Sequence, residues 1–150
     1  MTDNDKDIHN ADYYRERGRA KFQEKYRLQT SESSKGFKAI NLKEFGKLYG
    51  AEKYEDVMAD YKIALELNPN DYLVYLYMAD VVNTIDEKNK YFDTAIKLNP
   101  NSTEPYLKKI YENADFRLWN VVQDTIADME KANPNESEII KNLRSQFPLK

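Results

Sequence analysis

Three segments of the chain end in the same way, with an asparagine, a proline and a second asparagine. The three prolines, Pro69, Pro100 and Pro134, are 31 and then 34 residues apart. Proline lacks a backbone N–H and biases the preceding residue away from helical angles, so each Asn-Pro pair predicts the end of a helix. A stop signal that recurs at this period indicates stacked supersecondary units.

Each stop follows a stretch with the periodicity of an amphipathic helix. Apolar residues fall on one face of 54–65, of 91–96 and of 119–129, and a second stretch of this kind precedes each of them. Valine and isoleucine nowhere alternate with polar residues as a half-buried strand would require. The sequence therefore predicts an all-α fold made of helix pairs. Residues suited to helix starts are Asp71, Thr84 with Glu87 as a capping box, and Pro105.

Both ends of the chain differ from this pattern. Apolar residues recur every four positions in 12–28, which predicts an N-terminal helix, with 1–11 as a disordered tail and 29–35 as a loop. After Pro134, a last amphipathic stretch predicts a capping helix over 136–147 that covers the final apolar face of a stack. The length suits a single domain over 12–150.

The spacing of these residues resembles the tetratricopeptide repeat. The best-matching unit has Leu42, Phe45, Gly46 and Tyr49, followed by Val57, Tyr61, Ala64 and Pro69. The resemblance implies repeats over about 37–69, 70–100 and 101–134, stacked as antiparallel helix pairs in a short right-handed α-solenoid. Tyr14 and Gly18 resemble a first helix to which no second helix aligns. Lys88 departs from the pattern, because the family packs a small residue there.

In this family the first helix of each pair lines a concave groove that holds a segment of another protein. The resemblance places eight residues in that groove: Arg15, Arg19, Lys43, Lys47, Leu76, Asp80, Leu107 and Tyr111. A groove that is basic at one end and aromatic at the other would hold a peptide or partner helix with an acidic part and an apolar anchor. We therefore expect a non-catalytic protein-interaction scaffold or adaptor.

Two other functions stay open at this point. The chain could be a self-assembling structural subunit that forms homo-oligomers through its tyrosine-rich central helix or its C-terminal cap. Alternatively, the basic and aromatic residues of 13–27 could contact nucleic acid, since residues 13–48 carry an excess of six positive charges. Glu16 and Glu24 interrupt that patch and the whole chain has a net charge of -3, which makes nucleic acid the less favoured partner.

Catalytic and metal-binding patterns are not found in the sequence. The chain has no cysteine, and its one histidine, His9, lies in the predicted tail, so we expect no enzyme, metal, cofactor or small-molecule substrate. The N-terminus does not look like a secretory signal, and the longest apolar stretch, 72–82, is too short to cross a bilayer. We expect a cytoplasmic protein without a membrane partner. Trp119 and most tyrosines are expected in the core.

Overall fold

The fold comes from a computed structural model, which describes residues 3–34 and 51–149 and the surroundings of side chains within 10–28 and 53–149. Within these ranges the only regular structure is helical, and no strand occurs. The all-α prediction is therefore confirmed for the described part of the chain. The α-helices, in chain order, are α1 (Asp3–Ser34), α2 (Glu55–Leu67), α3 (Tyr72–Val81), α4 (Ile85–Leu98), α5 (Glu104–Asp115), α6 (Trp119–Ala132) and α7 (Ser137–Gln146), and a short 3-10 helix (Ala51–Tyr54) precedes α2.

The helices belong to two compact units, an N-terminal unit of Met1–Asn70 and a C-terminal unit of Asp71–Lys150. The chain length predicts one domain over 12–150, whereas the structure divides the chain at its first Asn-Pro corner. Proline at that corner ends one helix, and the next helix starts only after the turn, so the division falls where no helix continues.

Helix α1 is longer than the sequence pattern predicts. It extends over Asp3–Ser34 and thus includes most of the predicted tail, 1–11, and most of the predicted loop, 29–35. Neither added stretch contains glycine or proline, and serine and threonine weaken a helix only slightly. Composition typical of loops is therefore not enough to stop this helix.

In the N-terminal unit, α1 packs along α2. Gly18 of α1 lies directly against the ring of Tyr61, which is fully buried. Further along the helix, the Phe22 and Tyr54 rings lie 5.2 Å apart. The apolar stripe of α1, for which the sequence offers no aligned partner, thus packs on α2.

In the C-terminal unit, consecutive helices from α3 to α7 pack on one another. Every residue of α3 is buried or half-buried, as its nearly continuous apolar sequence predicts. One core cluster joins α3 and α4 through Leu76, Ala79, Phe92 and Ala95. A second joins α5, α6 and α7 through Tyr106, Ile110, Val122, Ile126, Met129, Ile140 and Leu143. Helix α7 therefore covers the last core cluster, in the position predicted for the capping helix.

The predicted helix ends are confirmed at all three Asn-Pro corners. Helices α2, α4 and α6 end directly before Asn68, Asn99 and Asn133, and each of these asparagines donates its backbone N–H to the carbonyl four residues earlier, at 2.8 to 3.0 Å. The N-caps predicted at Asp71 and Thr84 are confirmed too. The Asp71 carboxylate accepts from the N–H two residues on at 3.1 Å, and the Thr84 hydroxyl accepts from the N–H three residues on at 3.3 Å.

A different device ends α5, which no proline follows. The N–H of Leu118 donates to the carbonyl of Asn113, and the N–H of Arg117 donates to the carbonyl of Ala114, both at 2.9 Å. These two bonds form a Schellman motif, whose turning residue adopts the left-handed conformation. That residue is Arg117, with φ of 58°, where glycine is usual. The arginine therefore holds a conformation that its Cβ disfavours.

Replacing Arg117 by glycine is expected to raise the free energy of unfolding by about 0.5–1 kcal/mol, because glycine adopts positive φ without a steric penalty. Urea denaturation followed by circular dichroism measures the change. Arg117→Ala is the matched control, since it removes the charge and keeps the Cβ, and it should show no gain. Equal stability of the glycine and alanine variants would contradict the assignment of strain to this residue.

Candidate binding groove

The C-terminal unit contains a cavity of about 320 Å³ between the end of α3 and one face of α5. Its walls include Asp80, Leu107 and Tyr111, three of the residues that the sequence places in a groove. Asp80 comes from one predicted repeat, and the other two come from the next. The structure thus brings residues of two predicted repeats together around one open space, here called the smaller cavity.

The α5 wall of the smaller cavity is built by helical spacing. Glu104, Lys108 and Glu112 recur every four residues, and so do Leu107, Tyr111 and Asp115, so the two rows lie side by side on one helix face. Leu107 packs its inner side on the core cluster of α5, α6 and α7, while 43% of Tyr111 is exposed. The wall therefore combines apolar surface with charged side chains.

The smaller cavity is strongly acidic. Four carboxylates line it, and among the described residues of its wall the one cation is Lys108, whose Nζ lies 3.4 Å from Asp80. Glu104, Glu112 and Asp115 form no ion pair with any residue that the structure describes. The residues implied by the family resemblance suggest a ligand with an acidic part, but this end of the groove repels such a ligand.

A larger cavity of about 660 Å³ lies between the start of α6 and the end of α7. Its apolar wall is formed by Trp119, Phe147, Pro148 and Leu149. Tyr111 separates it from the smaller cavity: its ring packs edge-on to Phe147 at 5.8 Å, and its hydroxyl donates to Gln146 Oε1 at 3.1 Å. We call the two cavities, with Tyr111 between them, the C-terminal groove.

Trp119 corrects a prediction, since its spacing from Val122 predicts a core residue. The structure leaves 43% of it exposed, and Phe116 and Leu118 are also exposed, at 50% and 38%. Trp119 is the first residue of α6, and the buried stretch of that helix begins only at Val122. The apolar face of α6 therefore extends one turn further towards the start of the helix than its buried part does. That first turn forms part of the wall of the larger cavity.

Three other predicted groove residues, Leu76, Arg15 and Arg19, do not line either cavity. Leu76 is fully buried in the core cluster of α3 and α4, because α3 is enclosed, and it therefore contributes to packing instead of to an open surface. Arg15 and Arg19 lie on α1 in the N-terminal unit, where Arg15 pairs with neighbouring carboxylates of its own helix at 2.9 and 3.0 Å. Lys43 and Lys47 lie outside the described residues.

Three basic residues of α1, Arg17, Lys21 and Lys25, pair with carboxylates of α2. Arg17 donates to both oxygens of Asp60 at 2.9 and 2.6 Å, and Lys21 reaches the same carboxylate at 2.9 Å. One turn earlier on α2, Asp56 accepts from Lys25 at 2.7 Å. The hydrogen bonds from Arg17, supported by Lys21, hold the pKa of the buried Asp60 carboxyl below its usual value.

This pairing bears on the nucleic-acid alternative. Three of the basic side chains that favour it from the sequence are engaged by carboxylates of α2, and Arg27 pairs with Glu24 at 2.7 Å. Cations already neutralised by protein carboxylates release few counterions on contact with phosphates, so they contribute little to nucleic-acid affinity. The basic stripe of α1 is better explained as the counterpart of an acidic stripe on α2.

Comparison with known proteins gives no match: no family model, no curated protein and no solved structure corresponds to this chain. Among the described residues, no helix is both long enough and apolar enough to cross a membrane. Within the same residues, no three histidine or acidic side chains lie close enough together to hold a metal ion. The geometry of the C-terminal groove is thus the basis for a functional proposal.

Proposed function

We propose that this protein is a non-catalytic interaction scaffold that holds a segment of another protein in its C-terminal groove. The observation that carries the proposal is the convergence of Asp80, Leu107 and Tyr111 on one open cavity. Partly exposed apolar side chains beside charged groups suit a polypeptide ligand, because a polypeptide also carries both apolar and charged side chains.

The proposal gives the helices a tetratricopeptide-like arrangement. In it, α3 with α4 and α5 with α6 are two antiparallel repeats of a short right-handed α-solenoid, and α7 is the capping helix. The Asn-Pro corners after α4 and α6 support this, since they end equivalent helices in the same way. The first helices of the two repeats, α3 and α5, then supply the groove residues Asp80, Leu107 and Tyr111.

Tyr111 is the residue whose removal should matter most for binding. It stands between the two cavities with 43% of its surface exposed, so a segment that occupies both would cover it. Tyrosine at the centre of an interface is enriched among residues whose truncation costs about 2 kcal/mol or more. Such a loss corresponds to a roughly thirty-fold weaker complex.

Affinity capture from extract of the source cells tests the proposal. Tyr111→Ala should lose proteins that the wild type retains, while Tyr111→Phe should keep them, because it removes only the hydroxyl bond to Gln146. Tyr26→Ala is the matched control, since Tyr26 is an exposed tyrosine of the N-terminal unit. Circular dichroism checks that each variant stays folded. Capture of the same proteins at the same level by wild type and Tyr111→Ala would refute the assignment of the groove.

A further inference from the structure

Resting on this proposed function, we infer that the segment held in the C-terminal groove is cationic. A lysine or arginine side chain of the partner occupies the smaller cavity, and a large apolar side chain occupies the larger one. The inference gives the partner segment a positive charge. The groove residues implied by the family resemblance suggest a partner with an acidic part instead.

The first support is the charge that the protein leaves uncompensated. Among the described residues that line the smaller cavity, four carboxylates face the one ammonium of Lys108. In the N-terminal unit, by contrast, Asp56 and Asp60 are each engaged by a lysine or arginine of α1. The chain thus pairs Asp56, Asp60 and Asp80 across two helices, while Glu104, Glu112 and Asp115 form no ion pair with a described residue. A bound cation would supply the missing charge.

The second support is where these carboxylates sit on α5. Glu112 and Asp115 lie in the last turn of the helix, which carries no basic residue. The C-terminal end of a helix is the negative end of its dipole, so two carboxylates there are unfavourable. They also lie three residues apart, on neighbouring positions of the helix surface, and repel each other. Neither residue stabilises the helix in this position, which is expected when the charge serves a ligand.

The third support is the surface beside the charge. The ring of Tyr111 offers a flat face on which the stem of a lysine or the guanidinium of an arginine can lie. Beyond it, Trp119 and Phe147 form a wall suited to an apolar side chain of the same segment.

Fluorescence anisotropy with defined peptides tests the inference on the full chain. The probe is a short labelled peptide containing lysine and phenylalanine, and its counterparts carry glutamate for lysine or serine for phenylalanine. The lysine peptide should bind at least about ten-fold more tightly than the glutamate peptide, and its affinity should fall as salt is added. The serine peptide should bind more weakly, because it leaves the larger cavity empty.

Two matched sets of substitutions locate the charge. Glu104→Gln, Glu112→Gln and Asp115→Asn together should weaken the lysine peptide about ten-fold or more. Asp128→Asn, Glu136→Gln and Glu138→Gln remove the same charge from exposed positions outside both cavities and should change its affinity less than about two-fold. The groove set should also leave the melting temperature unchanged or raised, because the loss of Glu104 from the first turn of α5 is offset by the removal of Glu112 and Asp115 from its last turn.

Equal affinity for the lysine and glutamate peptides, no binding of the lysine peptide, or equal losses in the two sets would overturn the inference. A lowered melting temperature of the groove set would overturn it as well, since the carboxylates would then have a structural role. The proposed function fails by a different result, namely unchanged capture by Tyr111→Ala. If that variant loses its captured proteins while the peptides show no charge preference, the scaffold stands and only the cationic partner is refuted.

Discussion

Replacing Gly18 by valine is expected to lower the free energy of unfolding by about 3 kcal/mol. A Cβ at this position would lie 2.6 Å from Cε1 and 2.9 Å from Cδ1 of Tyr61, well inside van der Waals contact. The Tyr61 ring is fully buried and its neighbours hold it in place, so the clash moves α1 away from α2. The close approach of the two helices therefore depends on the absence of a side chain at residue 18.

The alanine variant separates packing from helix propensity. In an exposed helix, glycine to alanine stabilises by about 1 kcal/mol. At residue 18 we expect a net loss of about 1 kcal/mol, because the same Cβ clash opposes that gain. Ala20→Val, at an exposed position of the same helix, is the control for the β-branched side chain and should cost no more than about 0.7 kcal/mol. Urea denaturation gives all three values, and a Gly18→Ala variant at least as stable as wild type would show that the ring moves aside.

The parts of the fold that were predictable from the sequence are those set by local backbone chemistry. Proline after Asn68, Asn99 and Asn133 ends the preceding helix through its own backbone, and an N-cap such as Thr84 acts within a few residues of itself. Helical spacing likewise places Leu107 and Tyr111 on one face of α5. Signals of this kind need no knowledge of the neighbouring helices.

Contacts between distant parts of the chain were not predictable in this way. Asn113 is fully buried, and its amide exchanges two hydrogen bonds with Asn89, at 2.9 and 2.7 Å. Nothing in the sequence separates this pair from solvated asparagines. Lys88, at a position where the family packs a small residue, donates its Nζ to the Ala79 carbonyl in the last turn of α3 at 2.8 Å. A long side chain here bonds a carbonyl that the helix end leaves without an intrahelical donor.

The predicted groove residues show the same difference between local signals and contacts between distant parts of the chain. Asp80, Leu107 and Tyr111 share a cavity wall because each lies on the predicted face of its helix, whereas Leu76 is buried because α3 is enclosed on several sides. The acidic character of the wall could have been found from sequence, since Glu104, Glu112 and Asp115 fall on the same face of α5 at helical spacing. The sequence does not show which carboxylates gain a basic side chain as a partner, because that depends on how the helices pack.

The ion pairs of Asp60 with Arg17 and Lys21 should stabilise the packing of α1 on α2. Asp60→Asn keeps the shape of the side chain and removes its charge, and it should lower the free energy of unfolding by about 2 kcal/mol. Removing one partner of a fully buried pair costs about 3–5 kcal/mol, but here Arg17 and Lys21 are 40% and 35% exposed and regain contact with water. Asp56→Asn, one turn away, breaks a more exposed pair and should cost about 0.5 kcal/mol. Similar losses of unfolding free energy in the two variants would mean that the burial of Asp60 does not strengthen its ion pairs.

The effect of Asp60→Asn should also depend on pH. Hydrogen bonds from Arg17, and then from Lys21, lower the pKa of Asp60 in the folded protein below its unfolded value of about 3.9. Its contribution is therefore fully present above that value and is lost as the pH falls through the lower, folded pKa. Urea denaturation of wild type and variant at about pH 6 and pH 3 should show the stability difference shrinking at the lower pH. A difference of equal size at both would mean that the carboxylate charge does not stabilise the contact between α1 and α2.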